Sequence, residues 1–156
     1  LGFAIGGGLE PKRSLLTAAV MLAGAGRRLL ELAGREADIV GVSMQAAVTP
    51  GVEPERALAD RVAVVRAAAG DRFAGLELNM AVGAVGRTPA EADLTIARAA
   101  TGMPDEDLLA LPSVLCGPEQ EIADRLRRYR AEFGISYYAV LEPDMTAFAR
   151  VIPLLR

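Results

Sequence analysis

Val20-Met21-Leu22-Ala23-Gly24-Ala25-Gly26-Arg27-Arg28-Leu29-Leu30 runs from an apolar stretch of strand length, through a glycine turn, into a helix that opens with two arginines. Outward from it the same rhythm continues. Leu1 to Ile5, Ala37 to Val42, Leu76 to Val85 and Tyr137 to Leu141 are further apolar runs of strand length. Between them lie amphipathic stripes: Leu58, Val62, Val65 and Ala69 follow i, i+4, i+7, i+11, and Ile122, Leu126, Tyr129 and Phe133 repeat that spacing. Alternating strand and helix patterns are the signature of βα units, so the class is α/β. Four of the five runs are nearly continuous in apolar residues, as expected where helices cover both faces of a sheet or where a barrel closes. Leu76 to Val85 is the exception, because Glu77 and Asn79 share one face of the strand.

Element ends are marked as well. Thr88, Pro89 and Glu91 are predicted to form a capping box, and Gly117-Pro118-Glu119 places a proline in a first helical turn. Gly70 and Gly134 stand where left-handed C-caps belong. No linker, low-complexity tract or close repeat interrupts the rhythm, so residues 1–156 read as a single domain with enough apolar material, 52% of the chain, for a core.

The composition removes several kinds of chemistry. Cys116 is the only cysteine and histidine is absent, which excludes a disulfide framework, a zinc cluster and any Ser/His or Cys/His nucleophile pair. A net charge of −3 offers no broad basic field, so nucleic acid is not an expected partner, although basic residues that are nearly all Arg still allow local anion sites. No apolar stretch reaches the roughly 18 residues of a membrane span and no leader pattern opens the chain, so the expectation is a cytoplasmic protein without a membrane partner. Leu1 stands inside a predicted strand without a preceding Met, which suggests further sequence upstream.

The glycine turn is suited to an anion. Glycine lets backbone approach a phosphate, the first free N–H groups of the helix point at it, and Arg27 or Arg28 adds charge to the positive helix end. The same pattern also makes a plain tight βα turn. A Rossmann reading is weaker, since Leu29 stands where a third glycine is needed and Ser43-Met44-Gln45 ends the next strand without an acid for a ribose. Elsewhere the bland reading has the advantage: Gly6-Gly7-Gly8 makes a flexible turn, Asp144 of Glu142-Pro143-Asp144 is placed to cap a helix, and Cys116 is a buried structural thiol. Tyr137 and Tyr138 alternate, so at most one faces a pocket. Asn79 either lines a barrel or faces solvent from an edge strand.

The run Leu22 to Ala33, followed by Ala37-Asp38-Ile39-Val40-Gly41, resembles the luciferase-like monooxygenase superfamily, above all its branch using coenzyme F420. Three more stretches agree in order: Ala69-Gly70-Asp71-Arg72-Phe73 with Leu76-Glu77-Leu78-Asn79, Val114-Leu115-Cys116-Gly117-Pro118-Glu119-Gln120, and Gly134-Ile135-Ser136-Tyr137-Tyr138. The resemblance implies a (β/α)8 TIM barrel, which needs about 250 residues, so this chain matches only the C-terminal half, a partial barrel of about four to five parallel βα units. Val20 to Ala23 then resembles the fifth barrel strand, the strands ending at Ser43, Val85 and Glu142 the sixth to eighth, and Leu1 to Gly8 the fourth.

By the resemblance, Gly24, Ala25, Gly26 and Arg27 contact the cofactor phosphate, with Ser43 supplying a nearby hydroxyl and Arg28 as a further candidate. The implied cofactor is F420, with FMN as the alternative, and the implied reaction is hydride transfer or monooxygenation on a small organic substrate. The strands that hold the ring and substrate in the family are not in this sequence, so no catalytic residue is assigned. Two other functions stay open: a non-catalytic shortened barrel that binds or self-assembles, and an unrelated α/β domain binding a nucleotide at the turn. The barrel reading predicts association, either as a homo-oligomer or with a missing N-terminal half, because a partial barrel leaves two strand edges and an inner face uncovered.

Overall fold

A computed structural model of the protein describes residues 4–6, 19–42 and 51–156. Its elements, in chain order, begin with β1 (Ala4–Gly6), β2 (Met21–Gly24), α1 (Arg27–Glu36), β3 (Ile39–Val42) and α2 (Pro54–Ala69). There follow β4 (Glu77–Ala81), β5 (Ala84–Gly86), α3 (Thr95–Thr101), α4 (Asp105–Leu109), β6 (Val114–Cys116), α5 (Glu119–Phe133), β7 (Ile135–Ala139) and α6 (Met145–Ala149). Five strands form one sheet in the order β1-β7-β4-β3-β2, and β5 and β6 form a second, two-stranded one.

Strands β2, β3, β4 and β7 are mutually parallel, and their register sorts the side chains between the faces. Leu22 pairs with Val40 and Val40 with Leu78, while Met80 pairs with Tyr138; this face carries the main core. Leu30 and Ala33 of α1, Leu58, Val62 and Val65 of α2, and Ile122, Leu126 and Tyr129 of α5 close over it. Both stripes read from the sequence are therefore core-facing, with Phe133 only partly buried at the end of the second. Burying each such Leu or Ile side chain contributes about 1.5–3 kcal/mol before the entropy of ordering it.

Ala23, Gly41, Asn79 and Tyr137 form a row on the opposite face, next to the row Met21, Ile39 and Glu77. Glu77 and Asn79 do share a face. No helix among the described residues packs on it, and Met21, Ala23 and Ala81 are exposed there. One-sided cover is what a barrel wall shows; a doubly wound sheet has helices on both sides.

The helices are fixed by specific contacts. Gly34 lets α1 approach α2, since a Cβ there would lie 2.7 Å from the Val65 carbonyl oxygen. The Arg72 guanidinium donates to the carbonyls of Gly34 and Ala37, at 2.7 and 2.9 Å, and to that of Arg35, so it serves the free carbonyls at the end of α1. Glu53 caps α2 by accepting from the N–H groups of Glu55 and Arg56 at 3.1 and 2.8 Å, with Pro54 at the first helical position. Glu55 then accepts from Arg128 at 2.6 and 2.9 Å and from the Tyr129 hydroxyl at 2.9 Å, tying the start of α2 to α5.

Several expectations are corrected. The first strand pairs antiparallel with β7, Ile5 opposite Tyr138, at the edge farthest from β2; a fourth barrel strand would lie parallel beside the fifth. The Leu76 to Val85 run is two strands, because at Val82-Gly83 the chain leaves β7 for β6: Val82 N–H still donates to Ala139, but Gly83 N–H donates to Ser113. Val114–Cys116, not read as a strand, is the partner it acquires. Thr88 to Glu91 forms a turn and no helix, α3 beginning only at Thr95, although the Glu91 carboxylate does accept from the Arg87 N–H at 3.2 Å. Gly134 is a left-handed cap at φ 79, ψ 14, whereas Gly70 has positive φ with ψ −131, outside that region.

Candidate functional site

Strand β2 ends at Gly24, and Ala25 and Gly26 turn the chain into α1. The two glycines have different reasons. A Cβ at Gly24 would meet the Leu29 side chain at 2.1 Å, so glycine there makes room for α1's own leucine. At Gly26 a Cβ would meet nothing within 4 Å, and its φ of −76 is open to any residue. Gly26 thus exposes backbone to an approaching ligand.

Gly26 is the N-cap of α1, and no side chain caps the helix. Its carbonyl accepts from the N–H groups of Leu29 and Leu30 at 3.0 and 3.1 Å, which leaves the preceding N–H groups, those of Arg27 and Arg28, without an intrahelical partner. The first turn of α1 has no acidic residue to neutralise the positive helix end. The arginines diverge in role. Arg27 turns along the helix to pair with Glu31 at 2.8 Å, while Arg28 is exposed and forms no ion pair among the described residues. Arg28, the weaker candidate by resemblance, is therefore the freer charge. Ser43 lies outside the described residues.

Beside the turn, Gly41 of β3 is buried against β2. A Cβ on Gly41 would come within 2.5 Å of the Ala23 Cβ, so the register row at the strand ends admits only a very small residue at that position. Asn79, further along the row, is buried and donates to the Tyr137 carbonyl at 3.3 Å. It bridges β4 and β7 where their register shifts; β4 lies between β7 and β3, so Asn79 is not a solvent-facing residue of an edge strand.

No protein-family model matches the chain, and comparison with curated proteins finds no match. Among solved structures, an F420-dependent secondary alcohol dehydrogenase in complex with an F420-acetone adduct superposes with a TM-score of 0.57 at 14% identity. The alignment covers 94% of this chain and 51% of that one. The fold is that of a partial TIM barrel. The chain spans about half the length of the barrel enzyme it matches, and the glycine turn stands at the C-terminal end of a strand, the end where barrels of this kind gather their ligands. No described helix is long and apolar enough to cross a membrane.

A second concavity, of about 260 Å³, opens where β5 and β6 end, between the starts of α5 and α6. Asp144 is its buried acidic residue. Asp144 does not cap α6 through its side chain, as its position suggested; its Oδ1 accepts from the Val85 N–H at 2.9 Å and joins α6 to β5. Burial raises the Asp144 carboxyl above the usual aspartate range, the Val85 N–H opposes that rise and the Asp93 charge adds to it. Arg87, paired with Glu119 at 3.4 Å, supplies cationic charge at the same mouth. These residues come from four separate segments, and only the Glu-Pro-Asp end of the last strand gave any sequence signal for them.

Proposed function

We propose that this chain forms the phosphate-holding part of the cofactor pocket of a luciferase-like oxidoreductase, with coenzyme F420 as cofactor and FMN as the alternative. The observation that carries the reading is the uncapped N-terminus of α1 at Gly26, open to solvent and placed at a barrel-strand C-terminus. This donor set fits a phosphate: backbone N–H groups without an intrahelical partner, a helix end without acid, and an arginine, Arg28, that forms no ion pair among the described residues. In this role Gly24, Ala25 and Gly26 bring the backbone close, the N–H groups of Arg27 and Arg28 donate to phosphate oxygens, and the Arg28 side chain adds charge. Arg27, held by Glu31, fixes the first turn, and by the resemblance Ser43, next in sequence after β3, contributes a hydroxyl.

When bound, the reduced cofactor supplies the hydride for a small organic substrate. No proton transfer is assigned to any side chain of this chain. A fluorescence titration with F420 and with FMN tests the proposal: tighter binding of F420 is expected, tighter FMN binding reverses the cofactor, and saturable binding of neither overturns the reading.

One observation favours a second reading, a shortened barrel that works by association. Met21 at the start of the edge strand β2 and Val20 just before it are 43% and 49% exposed, and no helix among the described residues packs on the sheet face that carries Met21. Such an edge and face are covered by a second copy or by an N-terminal half-barrel in this reading.

A further inference from the structure

The first residues of β7 lie at the end of the sheet opposite the glycine turn, and there α5, β7, α6 and the following turn enclose a cavity of about 340 Å³. Its wall is apolar, built from Leu126, Ile135, Phe148, Ile152 and Leu155. Tyr138 adds its ring, because its hydroxyl is spent on the Leu126 carbonyl at 3.3 Å.

The rim is cationic. Arg127, Arg130 and Arg156 line the cavity and no Asp or Glu does. Arg127 is partly neutralised by Asp124 at 2.7 Å and also donates to the Leu154 carbonyl. Arg130 and Arg156 form no ion pair among the described residues, and of the acids that α5 carries, Glu119, Glu121, Asp124 and Glu132, none lines the cavity. Unneutralised guanidinium groups over an apolar hollow complement a ligand that brings its own anion and an apolar tail.

We propose that this cavity binds a medium-chain carboxylate, its chain against the apolar wall and its head group held by Arg130 and Arg156. The volume is at the small end of ligand pockets, which run from about 300 to 1,000 Å³, and suits a chain of roughly ten carbons. Barrels keep their chemistry at the other end of the strands, so this ligand is not a substrate of the glycine-turn site. It stabilises the packing of α5, β7 and α6 by mass action. The proposal stands independently of the cofactor reading.

Isothermal titration calorimetry with decanoate tests it, using decyltrimethylammonium as the probe of equal tail and opposite charge. One decanoate per chain is expected, with Arg130→Glu weakening binding at least about tenfold, as loss of a charge-assisted contact implies. Arg35→Glu, the same charge change on the far helix α1, is expected to leave binding within about twofold on the same scale. If Arg130→Glu does not fold by circular dichroism, Arg156→Glu is read in its place. Absence of saturable binding, equal affinity for the cationic probe, unchanged affinity in the rim variant, or equal weakening by Arg35→Glu would each overturn the proposal.

Discussion

Replacing Gly26 with Asp separates the stability of the fold from binding at the turn. The position is an N-cap at φ −76 with no atom within 4 Å of the new Cβ, so the side chain enters without strain. Aspartate is a better N-cap than glycine, and a negative charge at an acid-free helix start is favourable, together about 0.5 kcal/mol. For a chain of this size that raises Tm by about 1–2 °C. The same carboxylate occupies the N–H groups offered to a phosphate and repels it, costing more than about 1 kcal/mol of binding, about fivefold in Kd. Gly26→Ala is the control, since it adds bulk in open space without charge. Thermal melts and F420 titrations of the three proteins give both readouts. Coincident titration curves for wild type and Gly26→Asp, with folding intact, would refute the assignment of the turn to a phosphate.

Glu55 is held below the usual glutamate range first by its bond to Arg128, against desolvation, and further by Tyr129. A native value below the unfolded one means stability that is present above the unfolded value and lost as pH falls through the native one. Glu55→Gln should therefore cost about 1 kcal/mol in urea unfolding at pH 7, a modest figure because the pair is partly exposed, and the difference from wild type should shrink at acid pH. Asp144 is displaced the other way, so its ionisation destabilises the fold as pH rises through the ordinary aspartate value to the raised native one. Asp144→Asn, which keeps an acceptor for the Val85 N–H, should gain on wild type across that window, while Asp144→Ala should lose about 1–3 kcal/mol at any pH by orphaning that N–H; an Asn variant as unstable as the Ala variant would contradict this. Light scattering should find the chain associated at micromolar concentration through the edge strand β2, where Met21 and Ala23 are exposed, and a stable monomer would remove the half-barrel association.

What the sequence made legible is what is local. The alternation of strands and helices, the stripes of α2 and α5, and the turn at Gly24 to Arg28 each depend on residues within a few positions of one another; the stripes and the turn stand where they were read, while the last strand runs from Ile135 to Ala139 and begins two residues before the Tyr137 to Leu141 run. Pairing between distant segments was not legible. β6 has only three residues, too few for a period, and exists because the second half of the Leu76 to Val85 run leaves β7 for it. The antiparallel placement of β1 depends on β7, some 130 residues away, and nothing in the alternation of Leu1 to Ile5 encodes direction. Asp144 reads as a cap by spacing, yet the fold brings Val85 N–H to its carboxylate and the cap bond is not made. At the glycine turn the residue types were legible, but the division of labour between Arg27, paired with Glu31, and Arg28, without an ion pair among the described residues, required the position of the helix start.

The most direct measurement of the central claim compares two ligands that differ in the tail carrying the phosphate that the turn is proposed to hold. Titrating the protein with F420 and with the same deazaflavin lacking its phosphate-bearing tail should show F420 binding at least about tenfold more tightly, an advantage that high salt reduces. Equal affinities for the two, with binding of both intact, would contradict a phosphate site at Gly24 to Arg28.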